Sequence, residues 1–460
     1  MKATGRDLVL LLGLLWGFHG LALFYSNGVE NSMTRPVTKE EVKEEALPVP
    51  RIIKGVVLDS SSGKPIPRAR VMVENQVIIT GNDGLFLVKD IPKDPTFTIR
   101  APGYASTSIA PSGEEEIKVH LTPFYVKGLY LTFFGVGDRE IKGRVMELLD
   151  ETELNAVVID VKGDRGWIVY KTSVPLAQGI GATQVTTLKD PEGLLKYLKG
   201  KGIYTIARIV VFKDNVLARA RPDLAVIDSR TGRPWIDREG LAWIDPFKRE
   251  AWDYNLAIAR EAAEKGFDEV QFDYIRFPSD GDIKGIVLSG PNTLEERLKT
   301  INGFLARAQN ELLPTGAFIA ADVFGYTNWN SGDTGIGQRI EDMAQYLDFL
   351  SPMLYPSSYH AGIPGYRYSV AYPYEIVFLS LKQAVTRLQD IPVKIRPWLQ
   401  DFRDYGFDGR PYTAREVQAQ IRASWDAGAW GWMLWNPRVR YTRNAFKGRG
   451  RSFPKIITLR

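Results

Sequence analysis

With 460 residues the chain is too long for one ordinary hydrophobic core, so two folded units and connectors are expected. A net charge of only +5, without a zinc-finger or RNA-binding motif, argues against nucleic acid as a partner. The lack of cysteine excludes disulfides and thiol nucleophiles, and His19, His120 and His360 are too scattered for an imidazole-rich zinc site.

Lys2 and Arg6 precede an apolar run from Leu8 to Tyr25, interrupted only by small residues and His19. That length is at the lower limit for a spanning helix, and the basic flank directs the amino end to the cytoplasm. Residues 1–25 are therefore expected to form a signal anchor, or a signal peptide if cleaved, although no Ala-x-Ala site follows. Either way the remainder is exported, in the anchored case as a single-pass cell-membrane protein with its carboxy-terminal domains outside the cytoplasm. Residues 26–50 are polar and charged and end in Pro48-Val49-Pro50, which suits a tether and cannot bury a core.

Residues 51–122 change character. Strands are expected at Ile52–Leu58, Ala69–Val73, Gln76–Thr80, Leu85–Val88 and Thr96–Arg100, with turns at Ser62-Gly63-Lys64, Asn82-Asp83-Gly84 and Pro102-Gly103. Short strands at this spacing indicate a small all-β sandwich. Gly55-Val56-Val57, Gly63 with Pro65-Ile66, Ala69, Val71, Thr80 with Asp83-Gly84-Leu85-Phe86, and Ala101-Pro102-Gly103-Tyr104 carry a resemblance to the carboxypeptidase regulatory-like module. The resemblance implies a non-catalytic spacer or adhesion domain.

From Lys127 to about residue 440, apolar strands alternate with helical patterns. The strands are Gly128–Phe134, Asn155–Asp160, Tyr204–Val211, Asp268–Asp273, Ala317–Asp322, Leu347–Tyr355, Val393–Trp398 and Ala429–Trp435. Helices are expected at Glu140–Thr152, Asp190–Lys201, Pro246–Lys265, Thr293–Leu313, Thr334–Tyr346, Pro373–Leu388 and Thr413–Ala427, with Asp245 as the cap before Pro246. This is an α/β pattern, and eight strands with crossover helices predict a (β/α)₈ TIM barrel. An open doubly wound sheet fits less well, because Phe134-Gly135-Val136-Gly137-Asp138 lacks the third glycine of a phosphate-binding turn. Residues 441–460 form a basic tail, a solvated end or a dock for anionic polymer or headgroups.

Side chains alternate along a strand, so Glu269, Gln271 and Asp273 share one face and Val270 and Phe272 the other. Asp160, Asp273 and Asp322 each end a predicted strand, and a barrel does its chemistry at those ends. Asp273 and Asp322 end strands four and five, so their carboxylates are expected to approach to about 5–6 Å. A pair of acids with unequal pKa values is what glycoside cleavage requires, and a separation near 5 Å favours the retaining route. Trp167, Tyr274, Phe324, Tyr326, Trp329, Tyr355, Tyr359, Trp398, Trp432 and Trp435 crowd the same strand ends, where flat rings can stack on sugars or simply fill core. Lys162, Arg208, Arg276, Gln400 and Asn436 are the polar candidates for substrate, and Lys162 or Arg208 could equally hold the acids ionised.

Gly128-Leu129-Tyr130-Leu131-Thr132, Val158-Ile159-Asp160-Val161-Lys162, Ala207-Arg208-Ile209-Val210-Val211-Phe212-Lys213-Asp214, Trp243-Ile244-Asp245-Pro246, Gln271-Phe272-Asp273-Tyr274-Ile275-Arg276-Phe277-Pro278, Ala321-Asp322-Val323-Phe324-Gly325, Ser351-Pro352-Met353-Leu354-Tyr355-Pro356 and Trp435-Asn436-Pro437 carry a second resemblance. Residues 127–440 resemble a glycoside-hydrolase family of exported bacterial TIM barrels, distantly related to α-amylase-like enzymes. That resemblance implies Asp273 as nucleophile and Asp322 as proton donor. The α-amylase-like enzymes carry Glu at the second position, so the shorter Asp322 leaves Asp160 as the other candidate donor.

These residues predict a polysaccharide or oligosaccharide hydrolase, tethered to the membrane by its amino-terminal helix and requiring no cofactor or metal. The competing expectation is a non-catalytic glycan-binding or adhesion barrel at the cell surface. A third, a metal-dependent deacetylase or phosphodiesterase, requires a metal held by Asp160, Asp164, Asp273 and Asp322.

Overall fold

The computed structural model describes residues 52–92, 94–112 and 115–448. The expected anchor at 1–25, the linker at 26–50 and the end of the basic tail, 449–460, lie outside the described residues. Among those described, no helix is long and apolar enough to cross a membrane.

Seven strands come first: β1 (Ile53–Asp59), β2 (Arg70–Val73), β3 (Gln76–Ile79), β4 (Leu85–Val88), β5 (Phe97–Arg100), β6 (Thr107–Ile109) and β7 (Glu116–Leu121). They form two sheets, ordered β4-β1-β7 and β3-β2-β5-β6. Inward residues of both, including Val57, Val71, Phe97, Ile99 and Val119, make one core, as expected of a β-sandwich. β6 and β7 add to the five strands expected from sequence. The alternation Glu116-Ile117-Lys118-Val119-His120-Leu121 was readable as a half-buried strand.

The barrel strands are β8 (Val126–Leu131), β9 (Ala156–Lys162) and β10 (Tyr204–Val210), then, beyond the short β11 (Ile227–Asp228), β12 (Glu269–Asp273). After β13 (Ile286–Val287), which pairs with β11 in a small ribbon, come β14 (Phe318–Phe324) and β15 (Phe349–Met353). The seventh position is shared by β16 (Lys394–Ile395) and β17 (Trp398–Gln400), and β18 (Gly431–Trp435) is the eighth. All barrel pairings are parallel, and β18 pairs with β8, closing the circle. Pro397, which has no N–H to give to a ladder, stands in the break of the seventh strand.

Strand parity determines the barrel interior. Near its amino-terminal end, Glu269 pairs with Arg396, and Tyr204 donates to the same carboxylate at 3.0 Å. Further along the axis Gln271 donates to Ser351 at 3.1 Å. The alternate residues Val270, Phe272, Ile319 and Ala321 face outward, buried against the surrounding helices.

The sandwich packs on the amino-terminal end of the barrel. Arg70 of β2 pairs with Asp348, just before β15, at 2.6 Å and donates to the Ala317 carbonyl, just before β14, at 2.5 Å. Arg70 and Arg100 lie over the ring of Phe318, at 4.8 and 5.0 Å from its centre. The strand ends that carry the acids therefore remain free of the sandwich.

Two helices differ from expectation. The segment 334–346 is helical only at Ile340–Met343, followed by a 3-10 turn. Gly335 and Gly337 adopt positive φ there, and both donate to the Asp333 carboxylate. The helix expected from Pro246 begins at Arg249. Asp245 does not cap it; its carboxylate accepts from Phe247 and Ser289, fastening a turn to the 289 loop.

Candidate active site

Phe272 of β12 lies opposite Ala321 of β14, so the next residues stand side by side near the carboxyl ends of neighbouring strands: Asp273 ends β12, whereas β14 runs two residues beyond Asp322. Arg208, inward-facing on β10, joins them. Its Nε and Nη2 donate to Asp273 Oδ2 at 3.0 and 2.5 Å, and Nη1 donates to Asp160 Oδ1 at 2.6 Å. Asp322 Oδ2 is 4.0 Å from the same Nε. The two oxygens are thus no further apart than the sum of their distances to that nitrogen, which is compatible with joint action on one glycosidic bond. Both acids are deep, Asp273 being 5 % exposed and Asp322 2 %.

Their surroundings differ. Asp273 holds two charge-assisted bonds from Arg208, and the Tyr274 backbone N–H donates to its other oxygen at 2.6 Å. Tyr274 sits at φ 49°, a left-handed conformation rare for a bulky residue, of the kind that clusters at functional sites. Asp322 receives Trp398 Nε1 at 2.8 Å. Burial, and then the charge of Asp273, push its carboxyl well above the ordinary range, against the opposing pull of Arg208 and Trp398. Asp160 is also raised, chiefly by burial, although Arg208 and the Tyr130 hydroxyl both bond to it.

The remaining candidates divide. Trp435 stacks on Tyr130, ring centres 3.8 Å apart, and both lie under the Arg208 guanidinium. Tyr355 borders the acids, its hydroxyl raised by burial and by the charges of Asp322 and Asp273. The Tyr274 hydroxyl is pushed up to about 12, mainly by burial.

Arg276 is boxed by Trp243, Tyr274 and Phe324 and bonds to the Phe277 carbonyl and Ser279. Lys162, expected beside the acids, pairs instead with Asp214 at 2.6 Å, both wholly buried. Gln400 is occupied by Ser357 and the Phe402 carbonyl, and Asn436 by the carbonyls of Asp401 and Arg440. Among the described residues, no three His, Asp or Glu form a metal-holding group; the acids of the mouth converge on a guanidinium.

Tyr130 and Asp214, although within the motifs quoted above, were given no role from sequence, nor was the loop carrying Phe402 and Tyr405. Tyr130 was findable, since it lies within the expected first strand, one residue before the end of β8. Asp214 and the 401–409 loop follow strands without periodicity to mark them.

A family model described as "Putative glycosyl hydrolase domain" matches residues 128–441. No curated protein matches the chain. Among solved structures, a hypothetical protein from Ruminiclostridium thermocellum ATCC 27405 is 39 % identical over 42 % of this chain and 97 % of its own, with a TM-score of 0.38. The PgaB (BpsB) glycoside hydrolase domain from Bordetella bronchiseptica is 15 % identical, covering 68 % of this chain and 95 % of its own, with a TM-score of 0.50. The latter likeness concerns the fold alone.

Proposed function

The chain belongs to the glycosyl hydrolase domain family, and from that premise we propose that it is an exported glycoside hydrolase that cleaves a polysaccharide by the retaining route, with Asp273 as nucleophile and Asp322 as general acid. The observation that carries the assignment is the asymmetry between neighbouring strand ends. Asp273 is held by the Arg208 fork, whereas burial and the neighbouring Asp273 push the Asp322 carboxyl well above the ordinary range. Protonated Asp322 would donate to the glycosidic oxygen while Asp273 attacks the anomeric carbon. In the second step deprotonated Asp322 takes a proton from water as the glycosyl ester is hydrolysed. The strand-four nucleophile follows the resemblance to α-amylase-like barrels.

In this reading residues 1–25 anchor the chain in the membrane, and the β-sandwich is a carboxypeptidase regulatory-like spacer. Asp160, Tyr355, Trp398 and Trp435 line the sugar site; Lys162, Gln400, Asn436 and Arg276 support its walls.

Asp273→Asn should lower kcat by about 10³-fold or more while leaving the thermal unfolding transition cooperative. Product followed by NMR from the first turnover should retain anomeric configuration. An unchanged rate, or inverted product, refutes the assignment. A second reading is favoured by the depth of the acids: a barrel whose carboxylates stay closed around Arg208 would bind glycan without cleaving it. Saturable binding with no product over many hours would select that reading.

A further inference from the structure

We propose that Tyr405 is a stacking platform for a pyranose ring one or more units from the cleaved bond, presented rigidly by the 401–409 loop; this rests on the hydrolase reading. Aromatic rings lead outward from the acids. Tyr355 packs in one cluster with Trp398, whose indole donates to Asp322; Phe402 meets Tyr355 edge-on at 5.6 Å and 73°, and Tyr405 lies parallel to Phe402 at 5.9 Å and 14°. Tyr405 is 64 % exposed, more than any other large apolar or aromatic side chain among the described residues.

An exposed ring on a free loop loses conformational entropy when it captures a ligand. This loop is already fastened. The buried Asp404 carboxylate accepts the backbone N–H groups of Gly406, Phe407, Asp408 and Gly409, at 2.9 to 3.0 Å. Gly406 passes so close to the next loop that a Cβ there would stand 2.1 Å from the Ser357 carbonyl oxygen. Ser357 is in turn held by Gln400, at the end of β17. Gln400 also donates to the Phe402 carbonyl at 3.1 Å, so hydrogen bonds and this close packing together tie the loop that carries the exposed ring to a barrel strand. Such a ring offers a flat, partly apolar face, which complements the C–H face of a pyranose, whereas its hydroxyl is dispensable for stacking. The implied substrate is a glycan chain long enough to span the acids and this ring, rather than a single sugar.

The test uses the full chain carrying Asp273→Asn, titrated calorimetrically with cello-, chito-, malto- and xylohexaose and the matching disaccharides. For whichever hexaose binds, adding Tyr405→Ala should weaken affinity about tenfold, Tyr405→Phe should keep it, and the disaccharide should show little change. Gly406→Ala should weaken the hexaose although the ring is still present. In the otherwise native chain Tyr405→Ala should raise KM with a much smaller change in kcat.

Equal affinity and KM in Tyr405→Ala overturn the platform while leaving the hydrolase reading intact. Equal losses in Tyr405→Ala and Tyr405→Phe overturn stacking in favour of a hydrogen bond from the hydroxyl. Failure of every hexaose to bind or be cleaved overturns both proposals.

Discussion

The indole N–H of Trp398 points at Asp322 Oδ1, 2.8 Å away, and connects the seventh strand to the acid of the fifth. A donor at that distance favours the ionised carboxylate, so it limits how far burial and Asp273 raise the pKa. Trp398→Phe removes the donor and keeps most of the ring. The pKa of Asp322 should rise further, and if Asp322 acts protonated, the alkaline limb of the kcat profile should move to higher pH. The lost bond to a carboxylate is worth about 2 kcal/mol. A profile unmoved by Trp398→Phe would remove Asp322 from the acid role.

Arg208 compensates three carboxylates at once, being within 2.6 Å of Asp160, 2.5 Å of Asp273 and 4.0 Å of Asp322. Arg208→Met should cost about 3–5 kcal/mol of stability, because it leaves buried acids without a counter-charge. It should also abolish activity, since Asp273 would lose both hydrogen bonds of the guanidinium fork that orients it. Arg208→Lys keeps a charge but not the planar fork, and should fall between the two in denaturant unfolding and in rate.

The barrel was legible because its strands are apolar runs alternating with helical periodicity, and because a parity rule assigns the inward residues of a regular strand such as β12. Glu269, Gln271 and Asp273 line the axis as that rule requires. What the rule cannot supply is the pairing of inward groups from distant strands. Arg396 pairs on the axis with Glu269, 127 residues earlier, and only closure of the barrel brings them together. Lys162 shows the opposite failure. Its parity matches Asp160, yet the register between β9 and β10 shifts beyond Arg208, and Lys162 pairs with Asp214. Helix 334–346 failed for a local reason, because two positive-φ glycines bound to Asp333 hold that stretch as a loop.

The sandwich should contribute to stability rather than to chemistry. Arg70→Ala strips the buried Asp348 of its counter-charge at the end of the barrel remote from the acids, at a cost of about 3–5 kcal/mol. Equilibrium denaturation of the full chain should show that loss, with kcat per folded molecule unchanged. Adding Asp348→Asn should recover part of it, because no uncompensated charge then remains. A fall in kcat in the folded protein would mean that the two ends of the barrel communicate.

The raised pKa of Asp322 also has a sign in the stability of the whole protein. A carboxyl that binds its proton more tightly folded than unfolded stabilises the fold at low pH, and that contribution is lost as pH rises through the folded value. The window therefore opens at the ordinary carboxylate value, about 3.9, and extends upward. Asp322→Asn keeps a neutral side chain at every pH and removes this one dependence. The Tm of Asp322→Asn relative to the native chain should become more favourable as pH is raised from about 4 to 8, measured at constant ionic strength. A difference that stays flat across that range would mean that Asp322 titrates alike in the folded and unfolded chain. The asymmetry assigned to the two acids would then have no basis.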